Sequence, residues 1–179
     1  RYQADNAALA VAMLRHQDRL EIADEAFAGG LESATWPARL QRLADGPVTR
    51  QLPKASELWL DGGHNASAAR LVADYIRRSF PADLPFVLLF ASLKTKAPRA
   101  MLKSFRGLTA EVHTLPIPDH DHFEPETLAA LAKELGFEAS ANWTLDEALA
   151  RVKMPSRVLI FGSLYLAGEV LRANREIPA

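Results

Sequence analysis

The sequence predicts an α/β protein with a mostly parallel sheet covered by helices on both faces. Two observations carry this. From Glu57 onward, short apolar runs alternate with segments whose apolar residues recur at helical spacing, the pattern of successive βαβ units. The longest runs, "FVLLFA" and "VLIF", are unbroken apolar stretches, which suits strands of a parallel sheet covered on both faces.

The elements follow in order. Ala4 to Arg15 is alanine-rich with helical spacing and predicts a helix; a second is expected over Asp18 to Ala28, ended by Gly29-Gly30. Neither brings a strand, and together they carry too little apolar surface for a core of their own. They therefore read as the last helices of another domain. Arg39 to Leu43 suits a short strand, and "ADGP" marks a turn. Strands are then expected at 57–61, 85–91, 110–115 and 156–162, with a shorter one near Phe137–Ser140. The intervening helices are expected over Ala66–Ser79, Pro98–Phe105, Pro125–Leu135 and Leu145–Val152, with a last one over Leu164–Ala173. This gives three parts: 1–35, terminal helices of a preceding domain; 36–56, a linker or hairpin; and 57–179, the α/β domain. Arg1 opens the chain with no initiator methionine and no breaker, so the sequence reads as the inside of a longer protein.

Composition narrows the function. With 49% hydrophobic and 24% charged residues the chain is globular, not disordered. The 21 basic and 22 acidic residues nearly cancel, which argues against a nucleic-acid or acidic-membrane binder. The absence of cysteine excludes disulfides and thiolate metal sites, and runs such as "FVLLFA" are far shorter than the roughly 20 residues a bilayer needs. A cytoplasmic protein is expected.

Polar residues gather where the predicted strands end, and in open parallel sheets ligands bind at those carboxyl ends. In "LWLDGGHNASAA" the strand reaches Asp61, Gly62 and Gly63 permit a tight turn, and Asn65 or Ser67 suits a helix cap. Asp61 is placed to accept from a ribose, and His64 to pack against or donate to a ligand. The same residues equally suit a capped turn that binds nothing. Gly162-Ser163 opens the last helix and suits either an anion or a simple N-cap. Lys94 and Lys96 follow another strand end, and Arg39, after Trp36-Pro37, is the type of residue that grips a phosphate in two-pronged fashion. "IPDHDHFEP" brings Asp119, His120, Asp121 and His122 close in sequence, with His113 nearby. Adjacent residues rarely converge on one ion, so this reads as a polar loop at the cleft and no metal site is expected. There is no GxxxxGK[ST] phosphate loop, no GxGxxG fingerprint, no Gly-x-Ser-x-Gly elbow and no HExxH.

Taken together and in order, "YQADNAALAVAML", "WPARLQ", "LWLDGGHNASAA", "LKTKA" and "LIFGSLYLAGEVL" resemble the C-terminal portion of folylpolyglutamate synthase/dihydrofolate synthase, the folate branch of the Mur-ligase superfamily. The resemblance implies a Rossmann-like C-terminal ligase domain, preceded by helices from the end of a central ATPase domain. It implies an ATP- and magnesium-dependent ligase of folate biosynthesis and one-carbon metabolism, monomeric, joining L-glutamate to dihydropteroate or folate through an acyl phosphate. It also implies that the magnesium ligands lie mainly in a part that precedes this chain. By motif it assigns Asn6, Arg39, Asp61 and His64 to ATP, Ser163 and Lys96 to glutamate, and no catalytic residue to this stretch. The chain departs from the family pattern at Ala38, where "WPGR" is commoner, in a longer spacing from Arg39 to Asp61, which suggests an extended hairpin, and in "PIPDHDHFEP", which lacks a common arginine. Two alternatives stay open: another Mur-type ligase acting on a UDP-linked peptidoglycan precursor, and a nucleotide-binding module without catalysis.

Overall fold

A computed structural model describes residues 4–109 and 111–176, the side chain of Asp5 excepted. They form two compact units that divide between Trp36 and Pro37.

The first unit holds α1 (Ala4–Arg15) and α2 (Asp24–Ser33), and none of its described residues is buried. Helix α2 differs from expectation at both ends. It starts six residues late because Gln17 ties the intervening chain into a turn. Its Oε1 accepts from the N–H groups of Arg19 and Leu20, both at 2.8 Å, while Nε2 donates to the carbonyls of Leu14 and Leu20. It also runs through Gly29-Gly30, neither of which takes a positive φ, and ends a turn later. Arg15 pairs with Asp24 at 2.9 Å and lies over the Phe27 ring.

The second unit runs β1 (Gln41–Arg42), a 3-10 turn (Thr49–Gln51), β2 (Glu57–Asp61), α3 (Ala66–Ser79), β3 (Phe86–Phe90), α4 (Pro98–Ser104), β4 (Glu111–Thr114), α5 (Pro125–Glu134), β5 (Glu138–Ala141), α6 (Leu145–Arg151), β6 (Arg157–Phe161) and α7 (Leu164–Ala173). From Glu57 onward every predicted element is present, its ends within one residue of expectation. The sheet order is β1-β2-β6-β3-β4-β5; β1 is antiparallel to β2 and every other pair is parallel.

Alternation along the strands builds two cores. Leu58, Leu60, Val87, Leu89, Val158 and Ile160 meet Ala148 and Leu149 of α6 and Leu166 and Val170 of α7. The other face carries Leu88, Phe90, Leu159 and Phe161, and the Phe161 ring meets Phe105, just beyond α4, at 5.2 Å between centroids. The segment between β1 and β2 joins the first core through Leu43, Val48 and Leu52. It is pinned from the far end of the chain: Asn174 Oδ1 accepts from Val48 N–H at 3.0 Å, and Glu176 Oε1 from Ala44 N–H at 2.8 Å.

At the amino ends of the strands Arg157 is 4% exposed. It donates to Glu57 Oε2 at 2.6 Å, Asp83 Oδ1 at 3.1 Å and the Pro81 carbonyl at 2.8 Å. Burial works against its charge, but the Glu57 and Asp83 carboxylates outweigh it, and the net effect raises its pKa. Among the described residues no helix is long and apolar enough to cross a membrane.

Candidate functional site

Strands β2 and β6 are neighbours, yet the chain leaves them toward opposite faces of the sheet, β2 into α3 and β6 into α7. Such a divergence opens a crevice at the carboxyl ends. A cavity of about 290 Å³ lies there, lined by His64 from the β2–α3 loop, Leu93 and Lys96 from the β3–α4 loop, and Ser163, Leu164 and Tyr165 from the start of α7.

Asp61 ends β2 with its side chain turned inward, and the residue is 1% exposed. Its Oδ1 accepts from Gly63 N–H at 2.7 Å and its Oδ2 from Leu40 N–H at 2.8 Å. Gly62 N–H donates to the Ala38 carbonyl at 2.9 Å. The carboxylate thus clasps the 38–40 segment to the strand tip. The two glycines answer to packing: a Cβ on Gly63 would come within 2.6 Å of the Phe161 ring, and one on Gly62 would strike Leu164. Asn65 caps α3 by accepting from Ala68 N–H at 2.8 Å. His64 Nδ1 lies 3.1 Å from the Gly62 carbonyl. A carbonyl only accepts, so Nδ1 carries the proton and Nε2 of the neutral ring is an acceptor.

Arg39 is held in an unusual backbone. Ala38 and Leu40 on either side take φ of 54° and 46°. Left-handed geometry costs a non-glycine residue roughly 1–2 kcal/mol, so it persists only where surrounding contacts enforce it. Here those contacts are the Asp61–Leu40 and Gly62–Ala38 bonds. The half-buried Arg39 side chain makes one long bond, to the Ala38 carbonyl at 3.3 Å, and its other guanidinium N–H groups have no acceptor among the described residues. Its Nη1 lies 3.3 Å from where a Cβ on Gly62 would sit, which puts the cation against the β2–α3 turn.

Ser163 is the N-cap of α7, its Oγ accepting from Tyr165 N–H at 3.1 Å and Leu166 N–H at 3.4 Å. Gly162 takes φ of 119°, and a Cβ there would run into the Ala91 carbonyl oxygen. Lys96 is half-buried and has no ion-pair partner among the described residues, whereas the exposed Lys94 pairs with Asp121 at 2.8 Å.

The Asp119–His122 loop folds over this region. Its histidines turn toward their own backbone: His120 Nδ1 lies 2.7 Å from the Pro118 carbonyl, and His122 Nδ1 lies 2.7 Å from the His120 carbonyl. Among the described residues no group of three His, Asp or Glu side chains is arranged to hold a metal ion. The loop is stitched to the β3–α4 loop by a Leu93–His122 bridge and by Phe123 N–H on the Ser92 carbonyl at 2.9 Å. The His120 ring stacks on Tyr165, centroids 3.6 Å apart and planes 29° from parallel. His113 lies elsewhere, on the flank of the sheet in a groove of about 600 Å³ with Glu111, Ser140 and Arg151. It is 3% exposed, with Nδ1 2.7 Å from Ser140 Oγ and Nε2 2.8 Å from Glu111. Burial lowers its pKa, only partly offset by Glu111.

Of the residues singled out in the sequence, Arg39, Asp61, His64, Lys96 and Ser163 thus gather at one end of one sheet, and Asn6 lies on α1 in the first unit, exposed. Tyr165 and Leu164 were missed. Two large apolar side chains in the first turn of a helix, 44% and 53% exposed, were the available signal.

No protein-family model matches the chain. Among curated proteins it is 28% identical to the dihydrofolate synthase/folylpolyglutamate synthase of Bacillus subtilis, over 94% of this chain and 38% of that protein. It is 31% identical to a probable bifunctional folylpolyglutamate synthase/dihydropteroate synthase of Haloferax volcanii, over 94% of this chain and 19% of that protein. Among solved structures, E. coli FolC in complex with DHPP and ADP superposes with a TM-score of 0.73 at 22% identity, over 93% of this chain and 38% of that one. The chain is similar to the C-terminal portion of folylpolyglutamate/dihydrofolate synthases. It shares with the E. coli structure an α/β fold built on a mostly parallel sheet. It spans less than two-fifths of the length of these folylpolyglutamate synthase relatives.

Proposed function

We propose that this chain supplies the C-terminal side of an ATP-dependent ligase that joins L-glutamate to dihydropteroate or a folate, acting as a cytoplasmic monomer. The observation that carries the proposal is Arg39, a cation with unused donors held in a strained backbone against the Gly62–His64 turn. Two supports stand beside it: the names of the relatives, and the ADP held by the FolC structure of the same fold.

In this reading the guanidinium of Arg39 faces the phosphates of ATP, with Asn6 near the base. Asp61 serves the nucleotide through the turn it holds, since both carboxylate oxygens are engaged by backbone N–H groups. His64 Nε2 accepts from a ribose hydroxyl or from the incoming amine. Lys96 and the hydroxyl hydrogen of Ser163 take a carboxylate of glutamate in the cavity they line. ATP supplies the phosphoryl group that activates the folate carboxylate. The work of these residues is to position, to neutralise charge and to exclude water around the acyl phosphate that the amine attacks. Among the described residues no cluster of carboxylates would hold magnesium.

The test is phosphate release from ATP by the full-length enzyme that carries this chain. We expect release that needs both glutamate and dihydropteroate or folate. Turnover with a UDP-linked peptidoglycan precursor instead, or ATP binding with no turnover on any acceptor, would overturn the proposal.

A further inference from the structure

The Asp119–His122 loop has no part in the reading above, yet its His120 stacks on a residue that lines the cavity. Tyr165 forms one wall of that cavity, beside His64, Lys96 and Ser163. Tyr165 is 53% exposed and its hydroxyl has no partner among the described residues. The His120 ring covers one of its faces at 3.6 Å. The loop is in turn tied at several points. Asp119 takes a left-handed φ of 59°, His120 Nδ1 donates to Pro118, Asp121 pairs with Lys94, and the Leu93–His122 bridge ties the loop to the segment that carries Lys96.

We propose that His120 is a positioning residue for the amine-donor subsite, acting through Tyr165. By stacking on the ring it keeps the aromatic wall of the cavity at a fixed distance from Lys96 and Ser163. A small amino acid with a carboxylate then meets a preformed pocket rather than one it must order on binding, which lowers its apparent KM. ATP, gripped at Arg39, does not feel the stack. This rests on the proposed ligase activity and adds to it a residue that positions the wall of the amino-acid pocket.

His120 has two separable interactions, the stack and the Nδ1 bond to Pro118, so two replacements distinguish them. His120→Phe keeps an aromatic face and loses the donor; His120→Asn keeps a donor close to Nδ1 and loses the face. In the full-length enzyme, wild type is first assayed for ATP-dependent ligation of glutamate to folate. For His120→Asn we expect the KM for the amino acid to rise roughly three- to tenfold, with the KM for ATP unchanged. His120→Phe is expected to stay within about twofold of wild type on the same grounds. If His120→Phe is the impaired variant and His120→Asn is not, the residue merely holds its loop and the proposal falls. It falls equally if neither variant shifts the KM for the amino acid, or if the KM for ATP moves in parallel. A wild-type enzyme that does not ligate glutamate removes the ligase reading, and this inference with it.

Discussion

Leu40 N–H points at Asp61 Oδ2 from 2.8 Å, across 21 residues of chain, and Gly63 N–H occupies the other oxygen of the same carboxylate. Replacing Asp61 by alanine leaves two backbone donors without that acceptor. We expect a loss of about 2–4 kcal/mol in denaturant unfolding, because each stranded buried donor costs roughly 1–3 kcal/mol. In the full-length enzyme the KM for ATP should rise, since the loop that presents Arg39 loosens. Unfolding within about 0.5 kcal/mol of wild type would mean that the carboxylate does not hold the loop.

Two glycines, one just before α7 and one within it, should respond in opposite ways. Gly162→Ala places a Cβ on the Ala91 carbonyl at a φ of 119°, and we expect it to unfold the chain or to cost more than about 3 kcal/mol. Gly168 lies inside α7 with nothing within 4 Å of an added Cβ. Gly168→Ala should therefore raise stability by about 0.5–1 kcal/mol on helix propensity alone. Thermal unfolding of both variants measures the contrast.

At the opposite end of the strands, Glu57→Ala strips the nearly buried Arg157 of its 2.6 Å partner. Leaving a buried cation half-compensated should cost about 2–4 kcal/mol. Asp83 bonds the same guanidinium, but its side chain is 62% exposed. Asp83→Ala should cost no more than about 1 kcal/mol, because water replaces that partner. Equal losses would show that the two carboxylates share the charge evenly.

Acid should weaken the fold through His113. Burial holds its pKa below the ordinary histidine value in the folded chain, while the unfolded chain takes up a proton near pH 6.5. Unfolding then binds a proton below that pH, so the contribution is complete above about pH 6.5 and is lost as the pH falls through the folded value. Denaturant midpoints measured from pH 7.5 down to 5 should fall, and His113→Gln should flatten that decline. A variant with the wild-type slope would assign the acid sensitivity to other groups.

The legible parts of this sequence are those whose signal is local. Strands β2, β3 and β6 declare themselves through short apolar runs, and helices α3 and α7 through apolar residues at helical spacing. The start of α2 did not, because helical spacing continues through residues 18–23 while Gln17 spends its side chain on the backbone groups a helix would need. At the candidate site, Asp61 was visible as a polar strand end, but "DGGHN" could not say that both oxygens turn inward toward Leu40 and Gly63. Tyr165 was illegible for a different reason. Its placement depends on His120, which lies 45 residues earlier and meets it only after two strands and two helices have packed.

Strand β6 lies between β2 and β3 in the sheet, yet it is the last strand the chain supplies. Until Phe161 is in place, β2 and β3 have no common neighbour, and the loops bearing His64 and Lys96 have nothing to hold them side by side. Asn174 and Glu176, which pin the hairpin before β2, come later still. Such long-range closure is slow to form, because β6 must enter between two strands made before it. Assembly of the cavity therefore waits for β6, and a chain cut before it would carry Arg39, Asp61, His64 and Lys96 with no site.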